Sequence, residues 1–155
     1  GNKKTKIIIA RIFNTIGPND PNAHLIPDII KQVNFKSKIS KISLGNIKNK
    51  RDYIDVRDLS DVHYIAADYL MKNEQKVELS LNIGKGQPYS VLEIIDSFYR
   101  AVKKPTEYLD CGKNDVDPDM VWANNDKFKK LFNWQPDWDL DESIRSFLDS
   151  KEKYK

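Results

Sequence analysis

Residues 6–13, KIIIARIF, are the stretch that decides the fold, and they run directly into Asn14, Gly17 and Pro18. Their continuous apolar, β-branched composition is typical of a strand buried on both faces, as in a parallel sheet. Ligands of open α/β sheets bind beyond the carboxyl ends of the strands, where this pattern places Asn14. The Asn14 amide can donate and accept hydrogen bonds there. A turn-forming Asn before a Gly-Pro loop is the alternative, and spacing alone favours it.

Outward from this strand, helical and strand patterns alternate. The pattern predicts helices over residues 24–35, 59–71, 91–102, 125–132 and 141–150. Asp58 is the expected N-cap of the second helix, and Ser90 to Glu93 form a capping box for the third. Further strands are predicted over residues 42–44, 53–56, 79–83 and 107–110. This order predicts an α/β fold in one domain spanning residues 1–155.

Residues 51–58, RDYIDVRD, are the second stretch that suggests chemistry. Strand alternation puts Arg51, Tyr53 and Asp55 on one side. A guanidinium holds a diphosphate through paired hydrogen bonds, which Lys does not match in geometry. A surface strand with local Arg/Asp pairing explains the stretch equally well. Arg57 is expected to be a surface residue at the strand end.

Composition and charge exclude several classes of function. The net charge of +3, from 26 basic and 23 acidic side chains, is too small and dispersed to indicate nucleic-acid binding. No apolar run approaches the ~20 residues that span a bilayer. His24 and His63 are far apart in the sequence and are not part of a metal-ligand spacing pattern. The single Cys111 fits a reducing compartment. We expect a cytoplasmic protein with no metal, membrane or nucleic-acid partner.

Taken together, the motifs resemble the extended short-chain dehydrogenase/reductase family that acts on nucleotide sugars. The matching segments follow in order through the chain: Arg11-Ile-Phe-Asn14 with Gly17-Pro18, His24-Leu-Ile-Pro27, Leu44-Gly-Asn46 with residues 51–58, Leu81-Asn-Ile-Gly84, residues 89–93, and residues 126–136. The resemblance implies the C-terminal part of a Rossmann-like NAD(P)-binding fold plus the small α/β substrate-binding domain. The Leu44-Gly-Asn46 segment followed by Lys50-Arg51-Asp52 is most similar to enzymes of GDP-sugars, while epimerases of UDP-sugars share the rest.

The resemblance also implies substrate-binding roles. Asn14 matches a family Asn that contacts the substrate phosphate, and Arg51 matches the Arg that grips the diphosphate. His24 and Leu25 match a segment that lines the nucleotide or sugar pocket. Tyr53 lies beside Arg51 in a supporting position.

Other matches concern the cofactor and a second cation. Arg11 and Phe13 match positions that border the nicotinamide side of the cleft. The family often has a second substrate Arg in the loop before Trp122, and Lys113 is the only cation near that position here. A Lys has weaker geometry for the role.

The implied function is that of the substrate-binding portion of an NAD(P)-dependent epimerase, dehydratase or reductase acting on a GDP- or UDP-sugar. The family's glycine loop and its Tyr-x-x-x-Lys pair precede the segment that begins at Lys6. We therefore expect no catalytic residue, no tightly bound NAD or NADP and no activity from this chain alone. Expected partners are the nucleotide sugar and either a second copy or an N-terminal cofactor-binding half. The alternatives are a non-catalytic sugar-nucleotide-binding or interaction module, and a structural α/β domain.

Overall fold

Strands and helices alternate along the chain in the computed structural model, which describes residues 5–18, 20, 24–33, 40–103, 106–112 and 118–152. The strands are β1 (Lys6–Ile12), β2 (Asn14–Ile16), β3 (Ser40–Leu44), β4 (Lys50–Asp55), β5 (Val77–Ile83), β6 (Pro88–Ser90), β7 (Thr106–Asp110) and β8 (Met120–Val121). The helices are α1 (Leu25–Gln32), α2 (Val56–Lys72), α3 (Val91–Val102), α4 (Asp126–Phe132) and α5 (Leu140–Glu152). The predicted α/β class is confirmed. The first helix ends at Gln32, before the predicted residue 35, because Val33 is extended.

The described strands form three sheets dominated by parallel pairs. β1 pairs with β5, and β3 pairs with β7, both in parallel. β4 has parallel partners in β2 and β8 and an antiparallel partner in β6. The chain passes from the first sheet to the second at Phe13, whose N–H donates to the Ile83 carbonyl at 2.9 Å. The predicted strand over residues 6–13 therefore ends one residue early, and Asn14 begins a new strand beside Tyr53.

β1 is not buried on both faces, so that prediction is wrong for the part of the chain described here. Ile7, Ile9 and Ile12 are 45%, 55% and 43% exposed. Ile8 points to the opposite face from Ile7 and Ile9 and packs against a core of α2, α4, β4 and β5 residues. Described residues leave the face of Ile7 and Ile9 uncovered, and they cover the opposite face only at Ile8, since Ile12 is exposed as well.

Two apolar cores lie on either side of β4. The first joins β3 with α1, α3 and α5, and Tyr53 packs against it. The second contains Ile54 itself, with residues of β5, α2 and α4. Successive strand residues point to opposite faces, so β4 connects the two cores and its side chains serve both.

The start of α2 differs from the prediction. The N-cap is Asp55, whose carboxylate accepts from the Arg57 backbone N–H at 2.8 Å. Asp58 is instead a buried first-turn residue that accepts from the backbone N–H groups of Asp137 and Trp138, at 2.9 and 3.2 Å. Arg57 is not a simple surface residue either, because it forms a bidentate ion pair with Asp55 and stacks 3.2 Å over the Trp138 ring.

The capping box that opens α3 is confirmed. Glu93 N–H donates to the Ser90 hydroxyl at 3.2 Å, and Ser90 N–H donates to the Glu93 carboxylate at 2.7 Å. This reciprocal pair fixes the helix start directly after β6, so the first turn of α3 reaches the wall of a cavity beside β4.

Candidate substrate-binding site

Two cavities meet at Arg51. The first has a volume of about 250 Å³ and lies among β3, β4, β6 and the first turn of α3; its lining comprises Leu25, Leu44, Gly45, Asn46, Asn49, Arg51, Tyr53, Tyr89, Val91 and Ile94. The second has a volume of about 380 Å³ and lies beside the β1–β2 junction; its lining comprises Ile12, Phe13, Asn14, Thr15, His24, Arg51 and Val121. Arg51 belongs to both linings.

Backbone contacts orient the Arg51 side chain. Arg51 lies opposite Tyr89 of β6 and Val121 of β8 in the sheet. Its Nη1 donates to the carbonyls of Lys50 and Pro118, at 2.9 and 2.8 Å. A guanidinium carries five N–H donors in a rigid fork that matches phosphate oxygens. The arrangement is suited to an anion that spans both cavities.

Asn14 lines the same cavity as Arg51. It is the first residue of β2, and its Nδ2 donates to the Asp52 carbonyl at 3.3 Å. Because Asp52 follows Arg51 directly on β4, this bond couples the amide to the strand that carries the guanidinium. Whether Asn14 contacts a phosphate stays a prediction.

Tyr53 and Leu25 line the first cavity. Burial raises the pKa of the Tyr53 phenol to about 12, although the nearby Arg51 charge acts in the opposite direction. The phenol therefore remains protonated at neutral pH and is unsuited to act as a general base. It can donate a hydrogen bond, and its ring forms part of the cavity wall.

Amide side chains provide the polar part of the first cavity. Asn46 Nδ2 donates to Asn49 Oδ1 at 3.1 Å, and the Lys48 N–H donates to Asn46 Oδ1 at 2.9 Å. These bonds form a turn whose amides face a largely apolar wall. Asn49 was not identified from the sequence, because a polar turn between two strands gives no sign of the cavity it borders.

His24 and Phe13 belong to the second cavity. The His24 ring is 66% exposed, and its Nδ1 lies 3.2 Å from a carboxylate oxygen of Asp20. Phe13 is half-buried at the junction between the first two strands. The structure therefore brings both predicted residues to the cavity that contains Asn14 and Arg51.

Two predicted residues do not join this group. Arg11 is exposed on β1 in register with Asn82, and it lines neither of the two cavities. Lys113 lies outside the described residues. Their assignments rest on the family resemblance alone.

Asp52 is the main structural residue of the site that sequence reasoning missed. Its carboxylate is fully buried and accepts from the N–H groups of Lys85, Gly86 and Ala123, at 2.8, 2.9 and 2.9 Å. A Cβ on Gly84 would lie 2.7 Å from Asp52 Oδ2, so the approach requires glycine. The sequence did contain a signal for this role, because it places an acidic residue at an inward-facing position of an alternating strand. A buried charge there needs hydrogen-bonding partners.

One Tyr-x-x-x-Lys spacing, Tyr99 to Lys103, does occur in the chain. The structure places it at the end of α3, where Lys103 takes a left-handed conformation and terminates the helix. Neither residue lines either of the two cavities. We therefore assign no catalytic role to this pair.

The described part of the chain shows neither a metal-ion cluster nor a membrane-spanning helix. No three His, Cys, Asp or Glu side chains among these residues are grouped to hold a metal ion. None of the helices described is both long and apolar enough to cross a membrane.

Comparison with known proteins defines the family. The model of the GDP-mannose 4,6 dehydratase family matches residues 2–147. The chain belongs to the extended short-chain dehydrogenase/reductase family of NAD-dependent epimerases and dehydratases. Within that family it is similar to the UDP-glucose 4-epimerase of Rhizobium meliloti (strain 1021), with 30% identity over 152 residues that cover 89% of this chain and 46% of the relative. The chain thus spans about half the length of the curated relatives it matches.

Solved structures confirm the Rossmann-like fold. A UDP-glucose 4-epimerase from Stenotrophomonas maltophila, bound to NAD and a formylated UDP-arabinopyranose, superposes with a TM-score of 0.82 at 22% identity; the match covers 98% of this chain and 49% of that one. RMD from Pseudomonas aeruginosa, complexed with NADPH, superposes with a TM-score of 0.80 at 20% identity, covering 97% and 50%. At these identities the likeness concerns the fold.

Proposed function

We propose that this chain is the nucleotide-sugar-binding portion of an NAD(P)-dependent nucleotide-sugar epimerase, dehydratase or reductase that acts on a GDP- or UDP-sugar. The observation that carries the proposal is that Arg51 lines both cavities. A nucleotide sugar has the same order of parts: a flat base with its ribose, a diphosphate, and a sugar. The diphosphate lies at Arg51, with Asn14 as a second donor.

The first cavity suits the nucleoside. Its walls are apolar where Leu25, Leu44 and Ile94 line it, and polar at the amides of Asn46 and Asn49. A nucleobase needs apolar contact on its faces and hydrogen-bonding groups at its edge. Both GDP- and UDP-sugars fulfil this description.

The second cavity suits the sugar end. Asn14, Thr15 and His24 offer hydrogen-bonding groups for hydroxyls, and Phe13 supplies an apolar surface. Binding the remote diphosphate holds the reacting sugar carbon in place, which lowers the entropic part of the barrier.

The chain's own residues fit only one edge of a dinucleotide cofactor. Phe13 and Arg11, at the end of β1, suit the nicotinamide side, while the sequence has no Gly-x-Gly-x-x-Gly loop for the pyrophosphate. When bound, NAD or NADP would supply hydride transfer. We assign the proton-transferring pair and most of the cofactor contacts to a separate cofactor-binding half, and expect no turnover from this chain alone.

The open face of β1 is where we place that half. β1 has β5 as its partner among the described strands, and its outward isoleucines are exposed. An unpaired apolar edge strand invites further strand pairing. The relatives named above are about twice as long as the matched segment, which supports a second half of similar size. A second copy of this chain is the other occupant we expect.

A non-catalytic sugar-nucleotide-binding or interaction module is the second candidate. It is favoured by the assignment of every site residue to binding and none to proton transfer. The DNA upstream of the codon for Lys6 discriminates between the two. A reading frame with a glycine loop and a Tyr-x-x-x-Lys pair supports the enzyme, and a start codon near Asn2 supports the module.

Titration calorimetry of the chain with UDP-glucose and GDP-mannose tests the shared binding function. We expect one of them to bind, and Arg51→Ala to weaken binding roughly 10- to 150-fold, since a charge-assisted contact contributes about 1.5–3 kcal/mol. Arg145→Ala is the matched control, because Arg145 is exposed on α5 and lines neither cavity. Arg57 is a poorer control, since its ion pair with Asp55 supports α2.

Two results would contradict the proposal. One is the absence of binding of either nucleotide sugar to the folded wild-type chain. The other is an equal loss of affinity in Arg51→Ala and Arg145→Ala, which would place the anion elsewhere. Turnover of a nucleotide sugar with NAD or NADP by the chain alone would overturn the assignment of catalysis to a separate half.

A further inference from the structure

We infer that the Asn49 side chain selects the nucleobase, and that it favours a uracil nucleotide over a guanine nucleotide. This inference rests on the function proposed above, in which the first cavity holds the nucleoside. It starts from a chain of hydrogen bonds in the turn between β3 and β4. The Lys48 N–H donates to Asn46 Oδ1, and Asn46 Nδ2 donates to Asn49 Oδ1. Asn46 and Asn49 both line that cavity.

The Lys48 N–H fixes the orientation of both amides. A backbone N–H only donates, so the Asn46 atom 2.9 Å from it is the oxygen. The NH2 group of Asn46 then faces Asn49 at 3.1 Å, so the Asn49 atom that accepts from it is also an oxygen. Exchanging oxygen and nitrogen in either amide would set a donor against a donor. The amide atom that Asn49 has left for a ligand is therefore Nδ2, which only donates.

Hydrogen-bond donors are in excess at this end of the cavity. The two NH2 groups carry four N–H bonds, and the Asn46–Asn49 contact uses one of them. Asn49 Nδ2 has no hydrogen-bond partner among the described residues. Both amide oxygens, in contrast, already accept one bond each. The Leu44 carbonyl also has a donor, because it accepts from the Cys111 N–H at 2.7 Å.

The two bases differ in what they present to these donors. Uracil has the carbonyl oxygens O4 and O2 on either side of its ring N–H. The Watson–Crick edge of guanine has one acceptor, O6, beside the N–H groups of N1 and N2. Guanine can also accept through O6 and N7, but its N1 and N2 groups must then find acceptors elsewhere. Donors left without acceptors reduce affinity, so the amide pair favours uracil.

The other polar side chains of the cavity do not reverse this preference. The hydroxyls of Tyr53 and Tyr89 can each donate or accept, so they suit either base. The Arg51 guanidinium faces the diphosphate in the proposed function, and the diphosphate is common to both nucleotides. Asn49 is therefore the side chain whose chemistry separates the two.

Calorimetry with UDP-glucose and GDP-glucose tests the selection, because these ligands share the diphosphate and the sugar and differ in the base. We expect the wild-type chain to bind UDP-glucose at least about five-fold more tightly, since each unpaired donor costs affinity. Asn49→Asp replaces the NH2 group with an accepting oxygen of nearly the same shape. The added charge repels the diphosphate of both ligands, so the ratio of the two dissociation constants isolates the effect on the base. We expect that ratio to fall to about one or to reverse.

Asn73→Asp is the matched control. It makes the same chemical change at the end of α2, where Asn73 Nδ2 donates to the Tyr69 carbonyl at 2.7 Å. Asn73 lines neither cavity, so the ratio should stay at its wild-type value. Asn49→Ala removes the donor without adding a charge, and it should weaken UDP-glucose while leaving GDP-glucose nearly unchanged. Circular dichroism shows whether each variant is folded.

The outcomes separate the two proposals. If GDP-glucose or GDP-mannose binds the wild-type chain as tightly as UDP-glucose does, this inference is overturned while the proposed function stands. The same holds if the folded Asn49 variants keep the wild-type preference for UDP-glucose. If none of these nucleotide sugars binds the folded chain, both proposals are overturned.

Discussion

At the scale of single residues, the neighbours Arg51 and Asp52 have different roles. Arg51 borders the cavities, while the fully buried Asp52 holds the backbone that surrounds them. The Asp52 carboxylate joins the segment after β5 to the segment before α4 through three N–H groups. Charge-assisted bonds of this kind are stronger than neutral ones. The geometry around Arg51 therefore depends on a residue that touches neither cavity.

Asp52→Asn tests this dependence. The replacement turns one acceptor into an NH2 group facing backbone N–H donors, and we expect it to lower the free energy of unfolding by about 3 kcal/mol or more. Urea denaturation measures the change, with Asp61→Asn on the exposed side of α2 as control. A loss as small as that of Asp61→Asn would show that the three bonds contribute little net stability.

At the scale of an element, two acidic residues at the start of α2 have pKa values that shift in opposite directions. Burial by itself would raise the pKa of Asp55, but the hydrogen bonds and charge of Arg57 outweigh it and lower that pKa. Burial raises the pKa of Asp58, and the backbone bonds from Asp137 and Trp138 only partly oppose it. Asp55 thus favours the folded state when ionised, whereas the ionisation of Asp58 costs stability.

The two residues predict opposite pH dependences of stability. Asp55 contributes stability above the unfolded value of about 3.9, and this is lost as the pH falls through its lower folded value. Asp58 behaves inversely, because its contribution is greatest below about 3.9 and declines as the pH rises through its raised folded value. In Asp55→Asn the free energy of unfolding should fall less steeply as the pH is lowered. In Asp58→Asn it should fall more steeply.

Urea unfolding at a series of pH values from about 3 to about 7 measures both slopes. Each variant serves as the control of the other, since both remove one carboxylate from the start of α2. Slopes that change in the same direction would contradict the assignment.

At the scale of the whole molecule, the outward face of β1 is left exposed by the described residues. The outward isoleucines of β1 are about half-exposed, while Ile8 between them packs on the second core. Exposed apolar patches of more than a few hundred Å² mark interaction surfaces on soluble proteins. The chain is therefore expected to associate through β1, with a cofactor-binding half or with itself.

Light scattering at several concentrations tests this expectation. We expect the average mass of the isolated chain to rise with concentration, and Ile9→Glu to suppress the rise without lowering the unfolding temperature. Ile8→Glu is the contrasting variant, which should destabilise the fold because Ile8 packs on the core. A wild-type chain that stays monomeric at every concentration would contradict the proposed interface.

The sequence by itself determined most of the elements and the family. The helix over residues 91–102 and its capping box were predicted from local spacing, because both depend on residues within a few positions of one another. The ordered motifs around Asn14 and Arg51 indicated the family, and the family model confirms it. The single-domain prediction and the site roles remain predictions.

Only the tertiary structure decided how these parts surround a site. The break at Phe13 depends on a bond to Ile83, and the partners of Asp52 lie 33, 34 and 71 residues along the chain. The exposure of β1 likewise depends on which elements cover it, and the same apolar pattern predicted a strand buried on both faces. Hydrophobic period and capping act over a few residues, whereas burial and buried-charge pairing depend on segments that meet only when the chain folds.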